Sequence, residues 1–290
     1  MELSIIIVNW NVKDLLRKCL LSIFEHKPGF PFEVIVVDNA STDGSVHMVR
    51  REFPHKVQLI VNDENRGFSV ANNNGIKHSR GKYILILNPD TEVKPGTLAA
   101  LVEFLKSYPE AAAAAPRILN PDGTLQESVL SFPTLPALLL RAIFVEALWP
   151  DNPITHEYFR RDFKYQTVAE VDQPMGAAIL FKREIFNKVG LFDEHSFMFF
   201  DEVDLCYRIK QAGYKIYFTP QAEIIHHMGK SVQKWGALNL SRNWTRSRNH
   251  YFFKHHGPGS VILLYLFDLL RILIVLGLLF LFFYGLFRLI

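Results

Sequence analysis

Four short runs rich in Val, Ile and Leu, at Leu3–Val8, Glu33–Val37, Val57–Val61 and Lys82–Leu87, alternate with segments of a different period. Between the first two, Val12, Leu15, Leu16, Cys19, Leu20 and Ile23 recur at helical spacing, and Leu98, Leu101, Val102 and Leu105 do so after the fourth. A continuous apolar run of this length is the mark of a strand buried on both faces, whereas a stripe at i, i+3, i+4 marks one buried helix face. The alternation restricts the chain to βαβ units with right-handed crossovers. It therefore predicts an α/β fold with one mostly parallel, twisted sheet flanked by helices. Propensity alone assigns Ala111–Ala115 to a helix. Its position after one helix and before Pro116 predicts a buried strand instead.

Composition narrows the class. With 49% hydrophobic and 21% charged residues, the 290-residue chain is neither disordered nor fibrous, and a net charge of +3 is too small for a nucleic-acid binder. Cys19 and Cys206 cannot build a disulfide framework or a thiolate zinc site, which implies a reducing compartment. Met1-Glu2-Leu3 leads straight into a strand without the basic start of a secretory signal.

Apolar residues concentrate at the C-terminal end. Residues 261–290 hold only two glycines and three charges besides hydrophobic side chains, and as a helix they would be about 45 Å long. A bilayer core of about 30 Å takes about 20 apolar residues, and the uninterrupted run 272–287 is shorter. Crossing a bilayer would require Asp268 and Arg271 to pair or to lie near the headgroups. A buried amphipathic or hairpin element of a soluble protein is the alternative. Residues 242–256 carry Arg242, Arg246, Arg248 and Lys254 among Trp244, Tyr251, Phe252 and Phe253, with no acid, as suits an anionic membrane surface. The sequence thus divides into a catalytic-type body at 1–240, a basic and aromatic juxtamembrane segment at 241–260 and a membrane-associated tail at 261–290. Whether the tail spans the bilayer or lies in its interface stays open. The positive-inside rule places the body on the cytoplasmic face of the cell membrane, the inner membrane in a bacterium.

Open α/β sheets bind ligands beyond the carboxyl ends of their strands. Strand one ends in Val8-Asn9-Trp10-Asn11, strand two in Asp38-Asn39-Ala40-Ser41-Thr42-Asp43-Gly44 and strand four in Asn88-Pro89-Asp90. Asp38 and Asp90 are therefore expected on one sheet edge. Singly, Asn-Pro-Asp reads as a turn and Ser41–Gly44 as a helix N-cap. No G-x-G-x-x-G or P-loop is present, so a bound diphosphate would need a carboxylate-held Mg²⁺ or Mn²⁺ for neutralisation. Further on, Phe197–Phe200 precede Asp201, Glu202 and Asp204 at a helix start, with the aromatic run read as packing. Glu202 and Asp204 lie about 200° apart around a helix and cannot share a pocket. Asp204 has Arg208 at i+4 as an ion-pair partner, and Glu202, behind an apolar run, suits a general base of raised pKa. Of His226 and His227 in a strand, only one can face a given site.

These residues together resemble glycosyltransferase family 2, of the GT-A fold, and within it the rhamnosyltransferase-like branch. The resemblance covers about 3–230. It rests on Ile5–Asn11, Val36–Ser45, Asn65-Arg66-Gly67-Phe68 with Ala71-Asn72-Asn73, Leu87–Glu92, Pro116–Leu125, Met175-Gly176-Ala177 and Phe199–Arg208. It implies a nucleoside-diphosphate sugar as donor, with Val8 and Trp10 at the base, Asp38 accepting a hydrogen bond from it, and Gly67, Asn72, Asn88 and Gly176 in the donor cleft. It implies Asp90 as the metal-binding acid of a D-x-D-type signature, His226 as a second metal ligand, and Glu202 as catalytic base with Asp201 as the other candidate. Two departures stand out: Asn88 replaces the first acid of D-x-D, and Glu replaces the more usual Asp at 202. The reaction implied is an inverting transfer of a sugar such as rhamnose to a glycan or polyprenyl-linked acceptor in cell-envelope polysaccharide synthesis. A nucleotidyltransferase, which would need a basic loop near strand one where only Lys13 and Arg17 stand, and an inactive membrane-bound nucleotide-sugar binder are the alternatives.

Overall fold

The computed structural model describes residues 1–229 and 236–287; residues 230–235 of the expected body and 288–290 of the expected tail lie outside the described residues. The chain forms two compact units, Met1–Leu130 with Lys164–Ser247, and Ser131–Phe163 with Arg248–Ile290. Residues 131–163, read from sequence as part of the body, thus group with the apolar tail.

The strands in chain order are β1 (Leu3–Asn9), β2 (Phe32–Asp38), β3 (Val57–Val61), β4 (Tyr83–Leu87), β5 (Thr91–Val93), β6 (Ala111–Leu119), β7 (Val129–Leu130), β8 (Ala169–Val171), β9 (Gln173–Pro174), β10 (Ala178–Lys182) and β11 (Lys215–His226). The helices are α1 (Lys13–Glu25), α2 (Ser45–Glu52), α3 (Gly67–His78), α4 (Thr97–Ser107), α5 (Leu135–Ala142), α6 (Val145–Leu148), α7 (Pro153–Phe159), α8 (Arg183–Val189), α9 (Asp201–Gln211), α10 (Ala237–His256) and α11 (Pro258–Phe287).

In the first unit, a nine-stranded mixed sheet runs β3-β2-β1-β4-β10-β6-β11-β5, with β8 on β11. The four apolar runs form its parallel half, β3-β2-β1-β4, as expected. Leu3, Ile5, Ile6 and Ile7 of β1 are fully buried because helices cover both faces. The stripe Leu16, Cys19, Leu20 and Ile23 of α1 is buried as well, as is that of α4. Antiparallel β10 enters between β4 and β6, which local patterning does not announce. The alanine run is a strand. Ala113 and Ala114 pair with Phe181 and Leu180 of β10 on one side and with Ile216 and Tyr217 of β11 on the other, so sheet burial overrides helix propensity.

The expected cap at Ser41–Gly44 takes another form. Gly44 is the cap residue in a left-handed conformation, φ +85°, without a side-chain bond to α2. Asp43 accepts from the Ser45 amide at 3.0 Å and from the Lys13 amide at 2.7 Å, tying the starts of α2 and α1 together.

In the second unit, α5 packs against α11 and α7. The window Pro258–Leu281 of α11 is long and apolar enough to cross a membrane by length and composition. The pair that the sequence offered between Asp268 and Arg271 is not the contact found among the described residues. Asp268 pairs with Arg248 of α10 through two bonds of 2.9 and 2.6 Å, while Arg271 stands 5.7 Å from the ring centre of Phe144. The helix preceding the tail thus supplies the counter-charge of Asp268 through a bidentate guanidinium–carboxylate contact.

Candidate active site

Parallel register aligns the carboxyl ends of the first strands. Asn9 of β1 is level with Asp38 of β2, and the Asn39 amide donates to the Asn9 carbonyl at 2.8 Å. Beyond this edge lies a cavity of about 410 Å³. Nine of the sequence-predicted site residues line it: Val8, Trp10, Gly67, Asn88, Asp90, Gly176, Asp201, Glu202 and His226.

Asp38 and Asn72 do not line it. The Asp38 carboxylate, 1% exposed, accepts from Asn9 Nδ2 at 2.7 Å and from the Ser41 amide at 2.8 Å. It is spent on holding the turn that follows β2. Asn72 is fully buried in α3 and its Nδ2 donates to the Phe68 carbonyl at 3.0 Å. Both sit behind the cleft wall, a depth that strand-end position alone does not reveal.

Sheet topology brings Asp90 and His226 together. The β5–β11 pairing sets Thr91 opposite His226, and the His227 amide donates to the Asp90 carbonyl at 2.8 Å. His226 Nε2 consequently lies 3.4 Å from Asp90 Oδ1, with both side chains buried. His227 points the other way and contacts Glu92 Oε1 at 2.6 Å through Nε2, as strand alternation requires. His226 Nδ1 is 2.7 Å from Gln126 Oε1, an acceptor, so the proton sits on Nδ1.

The acids opposite come from the start of α9. Phe199 and Phe200 hold φ of +70° and +60°, a left-handed pair that turns the chain sharply into the helix. Asp201 and Glu202 then face the cavity, while Asp204, 2% exposed, accepts from Arg208 Nε at 2.8 Å. The division of roles expected from helical angle is the one observed. Burial, and then the neighbouring Glu202 carboxylate, push the proton affinity of Asp201 well above the usual carboxylate range.

Two glycines make room. A Cβ on Gly176 would sit 3.3 Å from Glu202 Cδ, so the strand approach at 176 shapes the space that Glu202 occupies. Gly67 has φ +82°, and a Cβ there would meet the Phe197 carbonyl oxygen at 2.5 Å. That carbonyl accepts from the Phe68 amide at 2.8 Å, which fixes the loop before α9 against the start of α3.

The aromatic run read as packing also contributes Phe197, Met198 and Phe199 to the cavity, joined by Met175 and Met228. Three of the chain's five methionines thus line one site and give it an adaptable apolar wall. Their clustering is tertiary, since they lie on three separate segments. The described lining contains three acids and a histidine but no lysine or arginine. Arg17, one of the two basic residues near strand one, is bound to Glu52 at 2.7 Å and to Asp14 at 3.0 Å.

Known proteins resemble this chain in sequence and in fold. Residues 4–204 match the family model described as glycosyl transferase family 2. An N-acetylglucosaminyl-diphospho-decaprenol L-rhamnosyltransferase of Mycobacterium tuberculosis is 31% identical over 222 residues, covering 73% of this chain and 71% of that protein. The mannosyltransferase PcManGT of Pyrobaculum calidifontis, solved with GDP-Man and Mn²⁺, superposes with a TM-score of 0.57 at 18% identity, over 92% of this chain and 73% of that one. GalNAc-T7, solved with UDP, GalNAc and Mn²⁺, gives a TM-score of 0.58 at 17% identity over 87% of this chain, which spans half of that one. These two structures share the GT-A fold with this chain.

Proposed function

The chain belongs to glycosyltransferase family 2, and from that premise we propose that it transfers a sugar with inversion from a nucleoside-diphosphate donor to a polyprenyl-linked glycan acceptor. The observation that carries this reading is the convergence of Asp90 and His226 with Asp201 and Glu202 on one sugar-sized cavity. The similarity to a rhamnosyltransferase acting on a decaprenyl-linked sugar favours rhamnose as the donor sugar and a lipid-linked glycan as the acceptor.

A divalent cation fits the site chemically. A carboxylate oxygen and an imidazole nitrogen are acceptable ligands for Mg²⁺- or Mn²⁺-like ions, and Asp90 and His226 present both within 3.4 Å of each other. The described lining offers a diphosphate neither a lysine nor an arginine, and a cation there would supply positive charge. The cation, held by Asp90 and His226, would neutralise the departing nucleoside diphosphate.

The protein's own side chains account for the other half of the reaction. Glu202 takes the proton of an acceptor hydroxyl as that oxygen bonds to the anomeric carbon and the bond to the diphosphate oxygen breaks. Attack from the face opposite the leaving group inverts the configuration. Asn65, Asn88 and the methionine wall hold the donor, while α11 keeps the acceptor's lipid close by attaching the chain to the cytoplasmic face of the membrane.

The test is transfer of radiolabelled sugar from nucleoside-diphosphate rhamnose into the lipid fraction of membranes containing the full chain, with Mg²⁺ or Mn²⁺. Glu202→Gln is expected to lower kcat by roughly 10²–10⁴-fold with donor affinity nearly unchanged. Loss of donor affinity with normal turnover of bound donor would remove Glu202 from the role of base.

A further inference from the structure

His226 stands at the end of a chain of hydrogen bonds that all point the same way. Its Nδ1–H donates to Gln126 Oε1 at 2.7 Å, and Gln126 Nε2 donates to Asn120 Oδ1 at 2.8 Å. Asn120 Nδ2 donates to Thr124 Oγ1 at 2.9 Å, and the Thr124 hydroxyl donates to Asp122 Oδ1 at 2.6 Å. Asp122, as a carboxylate, can only accept, so the direction of every bond upstream follows from it. An amide that donates from Nε2 to Asn120 must turn Oε1 toward the imidazole, and that oxygen calls for a proton on Nδ1.

The chain is built into the fold. Residues 120–126 form a tight reversal after β6, with the Asn120 amide donating to the Thr124 carbonyl at 2.8 Å and the Gln126 amide to the Ile118 carbonyl at 2.9 Å. Gln126 and His226 are each 5% exposed, so water does not compete for the bond between them. Nε2 is the nitrogen turned toward Asp90, and in the neutral imidazole with its proton on Nδ1 it carries the lone pair.

We propose that Gln126 is a positioning residue that holds His226 in the Nδ1–H tautomer and presents its Nε2 lone pair to the cation beside Asp90. The proposal rests on the metal-binding reading of Asp90 and His226 given above. A metal-ligating histidine is normally oriented by an acceptor on its other nitrogen, and loss of that acceptor typically weakens metal binding 10–100-fold. Here the acceptor is a neutral amide whose own orientation is set three bonds away.

Two measurements on the full chain test it. Without metal, ¹⁵N–¹H spectra of the imidazoles, with the His226 signals identified by their loss in His226→Gln, are expected to show the Nδ1–H tautomer. In Gln126→Leu that pattern is expected to change. A His226 found in the Nε2–H tautomer in the parent overturns the proposal. With Mn²⁺ alone as the probe, electron paramagnetic resonance is expected to show roughly 10–100-fold weaker binding in Gln126→Leu. Gln126→Glu, which keeps the acceptor, is expected to stay within a few fold of the parent. Equal Mn²⁺ affinity in the parent and Gln126→Leu overturns the positioning role alone, whereas a parent that binds no Mn²⁺ removes the metal reading and this role with it.

Discussion

Asp201 and Glu202 stand side by side in the first turn of α9, and both face the cavity beyond the sheet edge. Asp201, 3% exposed, has its proton affinity pushed upward first by burial and then by the neighbouring Glu202 carboxylate. In the proposed reaction Glu202 is the carboxylate that accepts the substrate's proton.

Replacement of Asp201 separates this arrangement from one in which Asp201 is itself the base. Asp201→Asn keeps a neutral polar side chain beside Glu202 and is expected to retain kcat within about tenfold, whereas Asp201→Leu removes that polar neighbour and is expected to lower kcat about 10²-fold. An Asn variant as inactive as Glu202→Gln would identify Asp201 as the base. The stability effect has a definite sign. A carboxyl whose folded pKa is raised stabilises fully below its unfolded value, 3.8, and that contribution is lost as pH rises through the folded value. Asp201→Asn is thus expected to raise Tm at pH 7, with the gain shrinking toward pH 4.

The two cleft glycines predict opposite phenotypes. Gly67→Ala forces φ +82° on an L-residue and drives its methyl into a backbone oxygen. A loss of about 2–3 kcal/mol is expected, read as a fall of roughly 5–10 °C in Tm. Gly176→Ala meets only the flexible Glu202 side chain, so thermal unfolding should be nearly unchanged while kcat drops about tenfold. Equal effects on Tm would refute the distinction.

Both cysteines are free and buried. Burial pushes the Cys19 thiol up to about 12 and moves Cys206 in the same direction. The stabilisation linked to the Cys19 proton is present below pH 9.0 and is lost as pH climbs toward 12. At pH 8 a disulfide reagent is expected to titrate no thiol in the native protein and two after denaturation. Rapid native labelling would contradict the packing around α1 or α9.

Arg248 and Asp268 form the polar link between α10 and α11, with Arg248 almost wholly buried. Arg248→Met leaves Asp268 of the apolar α11 without its partner, and a loss of roughly 2–3 kcal/mol is expected in detergent melts. Adding Asp268→Leu should restore most of it. A double variant as unstable as the single one would show that the guanidinium acts elsewhere.

The strands and helices of the parallel half follow from local periodicity, because a strand buried on both faces and a helix buried on one leave different imprints in the chain. The strand-end placement of Asp90 was legible for the same reason, and the angular separation of Glu202 from Asp204 follows from helix geometry alone. The insertion of antiparallel β10 was not legible, because pairing partners distant in sequence leave no periodic trace. The burial of Asp38 and Asn72 behind the cleft wall depends on side-chain depth, which position at a strand end does not encode.

What the amino-acid order determined by itself is therefore the strands and helices of the parallel half, the edge on which the strand-end polar residues gather and the apolar character of the last thirty residues. Tertiary structure alone decided which acid is buried beside Glu202, that residues 131–163 join the tail's unit, and that a glutamine a hundred residues away lies against His226. Each of these depends on desolvation or on a hydrogen bond between distant segments, and such terms exist only once the chain has closed around them.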